Sequence, residues 1–285
     1  MKALLFFLSF LPAVVARGQQ KHVHKIFDVH LHGSSNQQQQ IQTLQNAGIY
    51  KVALSTSWNL QNSYRDMQGM KILFGLMLPC PGGKVPYSLQ QCFDTGHDWP
   101  PIEWVESQIK SGNIDYFGEI LNQYCGISPA DTMLYPYYRL AQKYNLPVGI
   151  HTGGAGPGHG SALFKMDMGN PSLLKTLLAQ FPKLKIWIMH AGDQYYKETI
   201  NVMRQHQQVY ADISVISNPD IVPAEKFSFI MKSFVDAGLT NRLMFGTDNG
   251  DIQKVVQSVE QLDFLSAKQK KKLYYKNAER FFKGN

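Results

Sequence analysis

Short apolar runs alternate with amphipathic or polar stretches along almost the whole of this chain. Eight of the runs are rich in β-branched or aromatic residues, which is typical of β-strands. These predicted strands are KIFDVHL (25–31), IYKVALS (49–55), KILFGLML (71–78), IDYFGEI (114–120), PVGIHT (147–152), LKIWIMH (184–190), VYADIS (209–214) and RLMFGTD (242–248).

The stretches between these runs predict helices. They cover about 37–47, 102–110, 132–144, 198–205 and 224–237, and two more follow the last strand. Another helix begins after Asn170, which can cap it, with Pro171 at the first helical position and one stripe of leucines behind it.

Eight strands that alternate with helices favour a parallel sheet with right-handed crossovers. Eight such units in one chain of this length favour a single (β/α)₈ TIM barrel over residues 25–285. A doubly wound open sheet is the alternative. The N-terminal turns carry no G-x-G-x-x-G, so nothing indicates a dinucleotide site.

Composition narrows the class of protein. Hydrophobic residues make up 44% and charged residues 17% of the 285, which favours a large core over a disordered chain. The net charge of +7 comes from scattered basic residues, and the densest run, KQKKK at 268–272, has the spacing of a solvated helix face. We therefore expect no nucleic-acid partner.

The first residues have the features of a targeting segment. Residues 1–16 predict a signal peptide, with Lys2 before an apolar run that is shorter than a membrane span, and residues 17–24 form an N-terminal arm. We expect a periplasmic or secreted protein with no membrane segment after the signal is removed. Cys80 and Cys92 could then form a disulfide that leaves Cys125 outside it, although reduced thiols are equally compatible with the sequence.

Potential metal ligands stand at the carboxyl ends of the predicted strands: His30, His32, Glu119, His151, His190 and Asp248. In a barrel these ends converge on the face where active sites lie. Taken singly, each has a plainer explanation: a structural histidine, a helix cap for Asp248 or Asn249, or a lysine partner for Glu119. Together they predict a metal site, because burying so many unpaired polar groups without a cation is costly.

The spacing of the first two histidines supports this interpretation. Residues i and i+2 of a strand point to the same face, so His30 and His32 both point into the barrel mouth. Asp28 shares that parity and could orient a histidine from behind.

At these residues the chain resembles the amidohydrolase superfamily, in its amidohydrolase-related branch. The motifs are DVHLH (28–32), GE (118–119), GIHTG (149–153), IMHAG (188–192), FGTD (245–248) and the C-terminal NAERFF (277–282).

The resemblance implies a divalent metal, commonly zinc. His30, His32 and Asp248 would hold it, with His151 as a further ligand. His190 would bind a second metal or act on the substrate, and Glu119 could bridge two metals, since no lysine stands at that strand end. One ion or two remains open.

Such an ion lowers the pKa of bound water from ~16 toward ~7. Asp248 would pass the proton to the leaving group, and His190 would stabilise an oxyanion if it is not a ligand. We expect hydrolysis of an ester, lactone or amide of a small molecule. The alternatives are a metal-dependent non-oxidative decarboxylase of an aromatic acid and an exported metal-binding module without catalysis. The sequence leaves a homo-oligomer open.

Substrate selection is expected in the loops after strands two, three and five. These loops contain Trp58, Asn59, Tyr87, Phe93, His97, Trp99, His159 and the glycine-rich segment 153–160. Their aromatic residues suit an organic ring or a sugar, but they equally suit ordinary loop packing. No substrate-binding residue is assigned.

Overall fold

Eight parallel strands form one sheet, in the order of the sequence, and each is followed by a helix. The computed structural model describes residues 25–85, 92–93, 99–155 and 159–283. The strands are β1 (Ile26–His32), β2 (Ile49–Ser55), β3 (Lys71–Leu78), β4 (Tyr116–Ile120), β5 (Val148–Ile150), β6 (Ile186–Ile188), β7 (Val209–Asp212) and β8 (Leu243–Met244).

The last strand also meets the first. The Val29 N–H donates to the Phe245 carbonyl at 2.9 Å, and the Asp248 N–H donates to the His30 carbonyl at 2.8 Å. The sheet is therefore a nearly closed barrel, and the predicted (β/α)₈ fold is confirmed.

The helices surround the barrel. They are α1 (Gln37–Asn46), α2 (Trp58–Arg65), α3 (Ile102–Lys110), α4 (Tyr135–Tyr144), α5 (Leu174–Gln180), α6 (Tyr196–Gln205), α7 (Ala224–Asp236), α8 (Ile252–Glu260), α9 (Ala267–Lys271) and α10 (Asn277–Phe281). None of the helices within the described ranges is long and apolar enough to cross a membrane.

Two elements differ from the sequence prediction. Helix α2 was not predicted, because its sequence WNLQNSYR is mostly polar, yet it buries Trp58, Gln61 and Tyr64. The helix predicted after Asn170 begins as a 3₁₀ turn: the Asn170 side chain accepts a 2.9 Å bond from the Ser172 N–H, and α5 follows.

The barrel interior is closed at its amino-terminal end by aromatic side chains. Phe282, just beyond α10, packs on Phe27 at 5.4 Å and on Trp187 at 5.3 Å between ring centroids. This plug leaves the opposite end, where the strands finish, as the open mouth of the barrel.

A disulfide joins Cys80 to Cys92 after β3, and Cys125 is not part of it. Of the two states that the sequence left open, the structure therefore has the disulfide and not the reduced thiols. The predicted signal peptide (1–16) and arm (17–24) lie outside the described residues, as do Tyr87 and His97.

Candidate metal centre

The barrel mouth brings together all six side chains that the sequence nominated. His30 and His32 lie on β1 and Glu119 on β4, while His151, His190 and Asp248 follow β5, β6 and β8 directly or within a few residues. Their donor atoms form three overlapping groups, each with all atoms within 4.8 Å of one another: His30–His32–Glu119, His30–His190–Asp248 and Glu119–His151–His190.

Glu119 occupies the centre of this cluster. Its Oε2 lies 3.3 Å from His32 Nε2, and its Oε1 contacts His151 Nδ1 and lies 3.7 Å from His190 Nε2. One oxygen of this buried carboxylate thus faces His32, and the other faces His151 and His190. Glu119 is therefore placed to contribute to holding a divalent cation together with these imidazoles.

Asp248 closes the cluster on its outer side. Its Oδ1 lies 3.0 Å from His32 Nε2 and 3.8 Å from His30 Nε2, and its side chain is 25% exposed. It does not cap the helix that follows, because Asp251 accepts the bonds from Gln253 N and Lys254 N. The helix-cap explanation of Asp248 is therefore wrong, and Glu119 faces histidines where the plainer explanation placed a lysine.

The clearest sign of a bound group is His30 Nε2. The side chain is completely buried, and this atom has no hydrogen-bond partner among the residues that the structure describes. Its nearest carboxylate oxygens, on Asp248 and Glu119, lie at 3.8 and 3.9 Å. Burying a nitrogen without a hydrogen-bond partner costs free energy. Imidazole nitrogens and carboxylate oxygens that surround one point, slightly too far apart to hydrogen-bond, can coordinate a divalent cation.

A seventh residue, Asp212 at the end of β7, was missed. Its side chain is completely buried and lies behind His30, with Oδ2 3.2 Å from His30 Nδ1. It also accepts from the His190 N–H at 3.1 Å and from Trp187 Nε1 at 3.2 Å. An aspartate at the carboxyl end of a strand was the available signal, since the same position identified the other ligands.

Ser214 extends this support to the second histidine. Its hydroxyl lies 3.0 Å from both His30 Nδ1 and His190 Nδ1, and it donates to Asp212. The inner nitrogens of both rings are therefore occupied, which directs their Nε2 atoms at Glu119.

Asp28 acts on the main chain, not on an imidazole. It accepts from the His30 N–H at 3.0 Å and from the Thr247 N–H at 3.1 Å, so it ties the ends of β1 and β8 together. Gly246 makes this approach possible, since a Cβ there would lie 2.9 Å from the His30 Cβ.

The carboxylates around His30 favour a positive charge at its ring. Burial alone would lower the pKa of His30, but Asp212, with Asp248 and Glu119, raises it to about 10. Burial would raise the pKa of Glu119, yet His151 and its neighbouring imidazoles lower it well below its ordinary value. Positive charge is stabilised at this position whether a proton or a metal ion supplies it.

The predicted substrate loops divide into two sets. Trp58 and Phe93 are buried in the core, and Trp99 stacks on Tyr137 at 5.7 Å, so these aromatic residues serve ordinary packing. His159 belongs to the second set. It packs on Tyr124 outside the barrel mouth, and the ring centroid of Tyr124 lies 5.2 Å from that of His151.

Fold and cluster together define a (β/α)₈ barrel with a candidate metal site at the carboxyl ends of its strands. A family model described as amidohydrolase matches residues 114–284, more than half of the chain, and the chain belongs to the amidohydrolase family. The family is one of metal-dependent enzymes, and the resemblance drawn from the motifs is confirmed. Comparison with curated proteins gives no match.

Solved structures share the barrel at low sequence identity. A probable 2-pyrone-4,6-dicarboxylic acid hydrolase from Acinetobacter baumannii, with citric acid bound, is 14% identical with a TM-score of 0.61 over 90% of this chain and 99% of that one. A 2,6-dihydroxybenzoate decarboxylase from Rhizobium is 11% identical, with a TM-score of 0.58 over 91% and 99%.

A third is 5-carboxyvanillate decarboxylase from Novosphingobium aromaticivorans with bound manganese, 14% identical, with a TM-score of 0.55 over 86% and 80%. At these identities the likeness concerns the fold. Hydrolases and decarboxylases both occur among these structures, so the fold is compatible with either reaction.

Proposed function

We propose that this protein is a metal-dependent hydrolase that cleaves a C–O or C–N bond in an ester, lactone or amide of a small organic molecule. The observation that carries the metal dependence is His30 Nε2, which is buried without a hydrogen-bond partner in the described part of the chain and is surrounded by carboxylates and imidazoles at the open end of the barrel. Family membership supports a metal-dependent enzyme.

The residues that would hold one or two divalent ions, with zinc as the proposed metal, are His30, His32, Glu119, His151, His190 and Asp248. When bound, such an ion supplies Lewis-acid chemistry and a water of lowered pKa. His190 is 3% exposed and lies within the cluster, which supports a ligand role over direct contact with substrate.

Asp248 is the proposed proton acceptor. It is the most exposed carboxylate of the cluster, and contact with His32 keeps it ionised: burial would raise its pKa, but the His32 hydrogen bond and the nearby imidazoles lower it. The ionised form has an oxygen that can accept a proton from the attacking water and return it to the leaving group, although the lowered pKa makes it a weaker base.

We further propose that the chain is exported, with residues 1–16 as signal peptide, residues 17–24 as arm and residues 25–285 as the barrel domain. The Cys80–Cys92 disulfide supports this location, because such bonds persist in oxidising compartments.

The test combines metal analysis with a substrate panel. Purified wild-type protein, His30→Ala and Asp248→Asn are analysed for bound metal and assayed on esters, lactones, amides and aromatic acids, with released acid and released carbon dioxide scored separately. The matched control is His206→Ala at the end of α6, remote from the cluster in the fold.

We expect zinc in the wild-type protein, release of acid from at least one neutral substrate, and a loss of at least about a hundredfold in turnover for both site variants. His206→Ala should retain metal and activity. Absence of any bindable divalent metal would contradict the proposal, as would carbon dioxide release without hydrolysis, which would identify a decarboxylase.

A further inference from the structure

A second cleft lies at the carboxyl ends of β1 and β8. It is on the side that faces away from the six candidate metal ligands. It has a volume of about 610 Å³, within the range of small-molecule sites, and it lies between α1 and the loop that leads into α8. None of its lining residues belongs to the six-residue cluster, so the cleft is a separate site.

Amide side chains dominate the walls of this cleft. They come from both sides, four from α1 and its cap and two from the β8–α8 loop and α8: Asn36, Gln39, Gln40, Asn46, Asn249 and Gln253. Hydroxyls from Ser34, Thr43 and Thr247 add to them. Several of these groups are already paired within the protein, since Gln40 bonds to Tyr64 and to the His32 carbonyl and Thr247 bonds to Asp28. Among the described residues, the side-chain nitrogens of Gln39, Asn46 and Asn249 and the whole amide of Gln253 are left to face a ligand.

Charge is nearly absent from the lining. None of the described residues that form it is basic, and its one carboxylate, Asp251, is engaged by the main-chain N–H groups of Gln253 and Lys254. An anionic ligand would find no ion-pair partner here, whereas a cation could pair with the second oxygen of Asp251. An uncharged ligand that both donates and accepts hydrogen bonds fits the walls.

The floor of the cleft is aliphatic. Leu31, Leu44 and Ile252 line it, and all three are buried to at least nine-tenths. A polar rim over an apolar floor matches a sugar ring, whose hydroxyls project from its edge while its C–H groups form an apolar face.

The cleft is also connected to the metal cluster through His32. The Asn249 side chain accepts from the His32 N–H at 2.9 Å, and the Gln40 side chain donates to the His32 carbonyl at 2.9 Å. Two cleft residues therefore hold the peptide groups of a candidate metal ligand, and Asn249 follows Asp248 directly in the chain.

From these observations we propose that the cleft between α1 and α8 binds a neutral saccharide at a site separate from the catalytic mouth. The proposal goes beyond the proposed hydrolase function and does not depend on it. Its basis is the combination of two amide walls, a lining without basic groups among the described residues, and an aliphatic floor.

The experiment measures binding by calorimetry and saturation-transfer NMR on the full chain. The probes are glucose, N-acetylglucosamine, maltose, cellobiose and chitobiose, with glucuronate and glucosamine as charged counterparts. The test variant is Gln39→Ala/Gln253→Ala, which removes one amide from each wall. The matched control is Gln38→Ala/Gln257→Ala, which removes exposed glutamines from the same two helices outside the cleft.

We expect saturable binding of at least one neutral saccharide, weakened about tenfold or more in the test variant and unchanged in the control, because each lost hydrogen bond costs about threefold to tenfold in affinity. Thermal unfolding shows whether both variants fold. The proposal is overturned if no neutral saccharide binds at concentrations up to about 50 mM, if both double variants bind equally, or if the anionic glucuronate binds as well as the neutral probes.

Discussion

Asp212 lies behind the candidate metal ligands and contacts them and their neighbours through a small number of hydrogen bonds. Its two oxygens reach the His30 ring and the His190 main chain, and they also accept from Trp187 and Ser214. Carboxylates behind a metal-ligating histidine fix the orientation of the ring and raise its basicity. The orientation of two candidate ligands therefore depends on one side chain that is not itself in the cluster.

Replacing this residue tests that dependence. Asp212→Asn should lower metal affinity about 10- to 100-fold, because the ring of His30 loses a charged partner while the size of the side chain is kept. The measurement is competition for zinc against a chromophoric chelator, which needs no substrate. Asp236→Asn at the exposed end of α7 is the control, and equal affinities in the two variants would show that Asp212 has no such role.

For individual residues, the sequence predicted the candidate metal ligands better than the residues that orient them. His30 and His32 could be identified from strand periodicity, and Asp248 from its place after a strand. Asp212 occupies an equivalent place after β7, but one aspartate there does not distinguish a support for His30 from a helix cap or a surface charge. Its role follows only from the neighbours that the closed barrel brings to it.

Among the elements, the segment after β3 depends most on a covalent bond. The disulfide closes a loop in which Cys92 is twelve residues from Cys80, and the Trp58 N–H donates to the Cys92 carbonyl at 2.7 Å. Closing a loop of this length restricts the unfolded chain. Through Cys92, the disulfide is therefore connected to the first residue of α2.

Removing the disulfide should weaken the fold. Cys80→Ser/Cys92→Ser is expected to lose roughly 2–3 kcal/mol in the free energy of unfolding, measured by urea denaturation. Cys125→Ser, outside the disulfide, should unfold close to the wild type. A double variant as stable as the wild type would mean that the loop is held by its packing alone.

Element boundaries could be predicted only in part. All eight strands were identified, but β5, β6 and β8 end before the histidine or aspartate at or near the end of each predicted run, because those residues leave the ladder to reach the mouth. Helix α2 was missed since tertiary burial of Trp58 and Tyr64, not local propensity, determines it.

For the whole molecule, we expect the stability to depend on pH partly through Asp115, which directly precedes β4. Burial raises its pKa, and this outweighs the opposing hydrogen bond from the Phe74 N–H and the charge of Arg65. The charged form is therefore disfavoured in the folded state. The contribution of Asp115 to stability is complete below its unfolded pKa of about 3.9 and is lost as pH rises through its folded pKa.

Asp115→Asn should then be more stable than the wild type at neutral pH and lose that advantage as pH falls toward about 4. Urea unfolding of both proteins across this range measures the difference. Asp263→Asn, at an exposed position after α8, provides the control. A difference between Asp115→Asn and the wild type that does not change with pH would contradict the assignment.

The joint between β1 and β8 has a consequence for assembly of the chain. It is held by few main-chain bonds, and it carries His30 and His32 on one side and Asp248 on the other. An ion held by these residues would link the first strand of the barrel to the last. Cofactor loading would then also be the closing step of folding, and the empty protein would be the form most exposed to proteases.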